Sequence, residues 1–288
     1  MTKKPMSKHD ADWLEAMYNN RARVPEHAEH FRRWAARSAD AMRSNPRETD
    51  IRYGGGPRQH LDVFPTSQPD APVIVFIHGG WWRSLDKRDH SFIAPPLTKE
   101  GACVVLPNYA LAPAVTIPQI AMQMVEALAW TWRNIARHGG DPSRITVIGH
   151  SAGGHLAAMM LSCLWQVYDP RLPADLVKGA LSISGLYDLE PIMHTSFLQE
   201  SLKLTPQQVR QASPALFPPP AQGRLYTVAG ALESEEFLRN NQLIRKAWGA
   251  QKVPVCEELP GLNHFSVVEA LADPTHRLHE LAMELAGL

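Results

Sequence analysis

The sequence predicts an α/β fold in a single domain spanning residues 1–288, with a central, mostly parallel sheet flanked by helices. Short apolar runs without polar alternation are the first sign, beginning with "PVIVFIH" (72–78) and "ACVVLPNY" (102–109). Strands buried on both faces read this way, and they belong to parallel sheets. Helical periodicity between the runs is the second, giving the strand–helix alternation of an α/β domain. The third is Gly149-His150-Ser151-Ala152-Gly153, which sets a serine at a strand-to-helix corner.

The chain opens "MTKKPMSKHDADW", which is basic but has no apolar segment behind it, so no secretory leader is expected. From about Asp10 to Asn45 the pattern is helical. Trp13, Leu14, Met17 and Tyr18 share one face, as do Phe31, Trp34 and Ala35. Pro25 and Pro46 punctuate this region, and residues 1–48 are expected to form a helical arm packed on the main body. "IRYGGG" and "HLDVFP" read as two strands joined by a turn at Gly54–Gly56. After the two runs quoted above, "RITVIG" (144–149), "GALSISG" (179–185), "RLYTVAG" (224–230) and "VPVCEEL" (253–259) continue the strand series.

The clearest helix is "IPQIAMQMVEALAWTWRNIARHG", closed by Gly139-Gly140, with "DPSR" as the turn into the next strand. "HLAAMMLSCLW", "SEEFLRNNQLIRKAWGA" and "FSVVEALADPTHRLHELAMELAGL" are the later helical segments. Residues 193–223 are polar and proline-rich and interrupt the alternation. They are expected to be either a small cap insertion over the site or an ordinary surface excursion.

Composition excludes several function classes. Lys+Arg and Asp+Glu both total 29, so the net charge is zero and no electrostatic footprint for nucleic acid or a membrane surface exists. No apolar stretch approaches the ~20 residues of a membrane span. Cys103, Cys163 and Cys256 are far apart and odd in number, the pattern of reduced core thiols in a cytoplasmic protein. His27 with His30 and His276 with His279 lack a third ligand nearby, and surface helix histidines are expected there rather than a metal site. No phosphate loop or dinucleotide fingerprint is present, so neither a metal nor a cofactor is expected. The expected partner is a small-molecule substrate. Homodimers being the commonest assemblies, a homodimer is the expected state.

The chemistry centres on Ser151. In Gly-x-Ser-x-Gly between strand and helix, the sharp turn pushes the hydroxyl out at the top of the sheet. A free serine hydroxyl is a weak nucleophile and needs a general base, itself oriented by a carboxylate. In this architecture the chain order is serine, acid, histidine. Glu233, Glu235 and Glu236 follow "RLYTVAG" and are the candidate acids, while His264 follows the last strand. Glu235 and Glu236 also read as first-turn acids of the next helix. Backbone N–H donors for an oxyanion are expected from Ala152 and from His78-Gly79-Gly80-Trp81-Trp82, where glycines permit the backbone angles that turn N–H groups inward. Trp81, Trp82 and Tyr109 stand at strand ends, where large aromatics line a pocket or fill the core.

"HGGWW", "NYALAP", "GHSAGG", "SGLYDL", "GALESEEF" and "GLNHFS", with "YNNRARVP" near the N-terminus, together resemble the α/β-hydrolase fold, over nearly the whole chain. Within it they are similar to the kynurenine formamidase (arylformamidase)-like group, related to the hormone-sensitive-lipase type esterases. The resemblance implies Ser151 as nucleophile, His264 as base and Glu233 as the acid, where better-known members often carry Asp. It implies Gly80, Trp81 and Ala152 as oxyanion donors, ahead of Gly79. It implies a serine hydrolase cleaving a small acyl amide or ester through an acyl-enzyme, with N-formylkynurenine as first substrate. A broad-specificity carboxylesterase or amidase on small acyl esters is the alternative. A non-catalytic binding protein on a hydrolase scaffold is the remote one, because all three catalytic positions are filled.

Overall fold

The computed structural model describes residues 10–288. Eight strands form one sheet: β1 (Glu48–Arg52), β2 (His60–Phe64), β3 (Ala71–Ile77), β4 (Cys103–Pro107), β5 (Gly140–His150), β6 (Val177–Ile183), β7 (Arg224–Gly230) and β8 (Val255–Leu259). Their order across the sheet is β1-β2-β4-β3-β5-β6-β7-β8. β2 runs antiparallel to β1 and β4, and every other neighbouring pair is parallel.

The apolar runs feed two separate cores. In β3, Val73, Val75 and Ile77 face one layer, while Ile74 and Phe76 face the other. β4 repeats this, with Cys103 and Val105 on the first side and Val104 and Leu106 on the second. The first layer receives the Ile117–Asn134 and Ala152–Leu161 helices, and the second the arm's Trp34 and the Arg277–Ala286 helix. Period-two side chains with no polar face demand this double cover.

The segment read as helical from Asp10 forms helices at Ala11–Tyr18, Asn20–Arg23 and His27–Ser44. Asp10 accepts from the N–H groups of Asp12 and Trp13 and so starts the first of them. Leu14, Tyr18 and Trp34 are buried as the periodicity requires, but Ala35 is exposed, on the outer face. Residues 1–9, the start of the expected arm, lie outside the described residues.

Three further boundaries differ from the sequence reading. The helix after Ser151 stops at Leu161, and Trp165 opens a separate short turn. "DPSR" is absorbed into β5, whose register against β3 shifts between Ala71 and Val73. The C-terminal helical segment is broken into Ser266–Ala270 and Arg277–Ala286, with Pro274 in the gap, where its missing N–H and fixed φ end a helix. His30 and His279, read as surface residues, are buried: His30 Nδ1 meets Glu269 Oε1 at 2.9 Å and His279 Nδ1 meets the Leu271 carbonyl at 2.9 Å. Of the three free thiols only Cys103 is fully buried.

Candidate active site

The C-terminal ends of β3, β5, β6, β7 and β8 deliver the site, as parallel sheets generally do. β5 ends in the quoted corner. Ser151 has φ 58° and ψ −119°, a region that non-glycine residues avoid, and its N–H donates to the Ile183 carbonyl at 2.8 Å. The flanking glycines permit the crossing. A Cβ on Gly149 would lie 2.0 Å from the Gly153 carbonyl oxygen, and one on Gly153 would lie 2.0 Å from that of Ile77.

His264 Nε2 lies 3.1 Å from Ser151 Oγ, and its Nδ1 lies 2.6 Å from Glu233 Oε2. All three residues are buried. With Nδ1–H donating to the carboxylate, Nε2 is left to accept from the serine hydroxyl. Glu233 Oε1 accepts from the Gly230 N–H at 2.7 Å and from the Ser184 hydroxyl. The acid and base loops are tied to each other: Ala231 N–H donates to the Leu259 carbonyl and Leu232 N–H to that of Leu262. Asn263 Oδ1 accepts from the N–H groups of Phe265 and Ser266 at 2.9 Å each, closing the turn that carries His264. His150 Nε2 donates to the His264 carbonyl at 2.8 Å, and burial holds the His150 pKa well below its usual value, with the His264 charge adding to the effect.

The other two candidate acids stand apart. Glu235 is exposed in the first turn of the Glu235–Trp248 helix. Glu236 is buried, where it accepts from the Tyr18 hydroxyl at 2.6 Å and pairs with Arg239 at 2.7 Å. Burial, with Glu236 adding, raises the Tyr18 pKa far above its ordinary value, so the phenol stays a neutral donor.

After β3 the chain turns sharply at Gly80, with φ 103°, and Trp81, with φ 53°. A Cβ on Gly80 would sit 2.3 Å from the Ser84 carbonyl oxygen. The turn is closed by Arg83 and Ser84, whose N–H groups donate to the Gly80 carbonyl at 3.0 Å each, so the Gly80 and Trp81 N–H groups take no part in it. Ala152 is the first residue of its helix, and its N–H has no intrahelical acceptor.

A cleft of about 380 Å³ opens over Ser151 and His264, with Trp81, Phe31, Phe197 and Phe265 among its walls. The structure places the two other expected pocket aromatics in the core instead. Trp82 is fully buried against His155, with ring centroids 5.0 Å apart, and Tyr109 is buried on His78 at 4.3 Å, its hydroxyl donating to the His78 carbonyl. The sequence reading did not assign Asn20, Arg21 and Arg83 to the cleft they line, nor Ser184 to the carboxylate. "YNNRARVP" was the one available signal for the first two. Among the described residues no group of three or more His, Cys, Asp or Glu is arranged to hold a metal, and no helix is long and apolar enough to cross a membrane.

A family profile for the alpha/beta hydrolase fold matches residues 74–244. The chain belongs to the α/β-hydrolase family. This α/β hydrolase is 32% identical over 246 residues to a kynurenine formamidase of Danio rerio, covering 83% of this chain and 81% of that one. It is 37% identical over 153 residues to the esterase LipQ of Mycobacterium tuberculosis, covering 49% of this chain and 36% of that one. A solved structure of a Silicibacter sp. protein, described provisionally as a thioesterase, superposes with a TM-score of 0.82 at 29% identity, covering 92% of this chain and 97% of that chain. The α/β hydrolase described here is accordingly a hydrolytic enzyme.

Proposed function

We propose that this serine hydrolase is an arylformamidase, cleaving N-formylkynurenine to kynurenine and formate, with Ser151 as nucleophile, His264 as general base and Glu233 as the orienting acid. The observation that carries the reading is the unbroken chain of contacts from Ser151 Oγ to His264 Nε2 at 3.1 Å and from His264 Nδ1 to Glu233 at 2.6 Å. His264 takes the hydroxyl proton as Oγ attacks the formyl carbon, and the carbonyl electron pair moves onto oxygen. Gly80, Trp81 and Ala152 N–H groups receive that oxyanion. Collapse breaks the C–N bond, His264 returns the proton to the aryl amine, and a formyl-enzyme remains. Water, deprotonated by His264, attacks the formyl carbon, releasing formate and restoring the serine. Glu233 stabilises the imidazolium in both halves.

The aromatic walls of the cleft suit an aniline ring, and the similarity to a formamidase over most of both chains supports the formyl group. The similarity to an esterase supports a second reading, a carboxylesterase on small acyl esters using the same residues. The deciding measurement is kcat/KM for N-formylkynurenine against p-nitrophenyl acetate. A formamidase prefers the former by orders of magnitude, and a reversed ratio establishes the esterase. A fluorophosphonate probe labels the wild type and not Ser151→Ala if Ser151 is the nucleophile.

We read residues 193–223 as a small cap within a single domain. Phe197 lines the cleft, and Arg83 Nη1 reaches across to the Phe197 carbonyl at 2.6 Å and to Ser201 Oγ at 2.8 Å. The free cysteines favour a reducing, cytoplasmic setting, and a homodimer is the proposed assembly, read out by light scattering.

A further inference from the structure

The lining of the cleft is positively charged. Arg21 from the arm and Arg83 from the loop after β3 both line it, and no aspartate or glutamate does among the described residues. Both hydrogen bonds that Arg83 makes to the cap use Nη1, leaving Nη2 and Nε without a hydrogen-bond partner among the described residues. Burial lowers the Arg83 pKa, the Arg21 charge lowers it further, and Glu200 opposes them. Arg21 is exposed and lies 5.5 Å over the Phe31 ring, with no ion pair among the described residues. Asn20, beside Arg21 in the chain, also lines the cleft and is 5% exposed. The segment is anchored by Tyr18, two residues before Asn20, which donates to Glu236 and packs edge-on to Trp81 at 6.1 Å.

Two like charges beside a common space repel. A single anion in that space offsets the repulsion. Guanidinium groups match a carboxylate with two parallel donors. A formyl group carries nothing beyond hydrogen, so the body of the cleft takes the leaving group. We propose that Arg21 and Arg83 form a receptor for a carboxylate carried on the leaving group, so that the enzyme selects anionic aryl formamides and aryl esters over neutral ones. This deepens the assignment above and rests on Ser151 as the nucleophile. N-formylkynurenine, an amino acid, carries such a carboxylate.

The test compares two substrate pairs: N-formylkynurenine with its methyl ester, and 4-acetoxyphenylacetate with its methyl ester. The wild type is expected to favour the carboxylate of each pair at least about tenfold in kcat/KM, chiefly through KM. Added salt shrinks this preference by screening. Arg21→Ala, which removes a side chain that makes no hydrogen bond within the fold, brings the ratio towards one, and Arg21→Lys restores part of it. Equal kcat/KM within the acetate pair, or an Arg21→Ala ratio equal to that of the wild type, overturns the receptor. Loss of all formamide turnover, with the acetate preference intact, overturns the formamidase assignment and leaves the receptor standing.

Discussion

At Glu233, one carboxylate holds the imidazole with one oxygen and its own loop with the other. Replacing it by glutamine keeps the shape but offers an N–H to His264 Nδ1, which favours the wrong tautomer. Glu233→Gln is therefore expected to lower kcat on the order of 10³–10⁴-fold. Glu235→Gln, on an exposed side chain, changes it less than about twofold. Steady-state kinetics of the two variants separates them, and equal losses would move the acid's role elsewhere. At Gly80 the φ of 103° and the nearby Ser84 carbonyl leave no room for a methyl group. Gly80→Ala displaces the N–H groups of that turn and is expected to cost on the order of 10²–10³ in kcat with KM little changed. Retained kcat would show that the oxyanion is held by other donors. Ser151 and His264 were legible because glycine spacing and chain order mark them. Glu233 was legible only through the resemblance, since three glutamates share its neighbourhood. The sequence left Trp82 and Tyr109 open between pocket and core because a large aromatic at a strand end looks the same whether it faces a cleft or a core.

The arm is the element that completes the cleft. Glu269 receives His30 Nδ1 and the indole N–H of Trp34, both at 2.9 Å, and pairs with Arg33 at 3.1 Å. Glu269→Ala leaves Trp34 and His30 buried without their acceptor. The expected loss is about 2 kcal/mol, seen as a lower Tm, together with faster limited proteolysis around Pro25. An unchanged melting curve and proteolytic pattern would show that the arm docks by apolar contact alone. The inner strands were legible because burial on both faces leaves no alternation to misread. The arm's helices were legible, but not their relation to the cleft. Tyr18 to Glu236 and His30 to Glu269 are pairings between distant parts of the chain, and no local pattern encodes them. The break at Pro274 was visible in the residues and was overridden by the apolar periodicity on either side.

For the whole molecule, buried neutral histidines are expected to set the acid limit of the fold. Burial is the first cause in each case, lowering His78 and His155 to about 4 and His90 to about 3. In the unfolded chain each binds its proton near pH ~6.5. Between those values the unfolded state holds more protons, so stability falls as pH falls from about 6.5 towards 4, by about 1.4 kcal/mol per pH unit for each histidine. Denaturant midpoints measured across that window check the slope. A flat profile would mean that these imidazoles are already protonated in the fold.

The contacts of the arm join positions 218 and 239 residues apart. During synthesis the helix carrying Tyr18 leaves the ribosome long before Glu236 exists, and the helix carrying His30 waits longer still for Glu269. The arm can already pack Trp34 on His90 and Phe92, and Ser38 can accept from the Phe92 N–H, but its polar anchors wait for the two late glutamates. A nascent chain halted before Glu269 would hold its arm by Tyr18 and the Trp34 packing alone, with His30 and the Trp34 indole N–H lacking their acceptor.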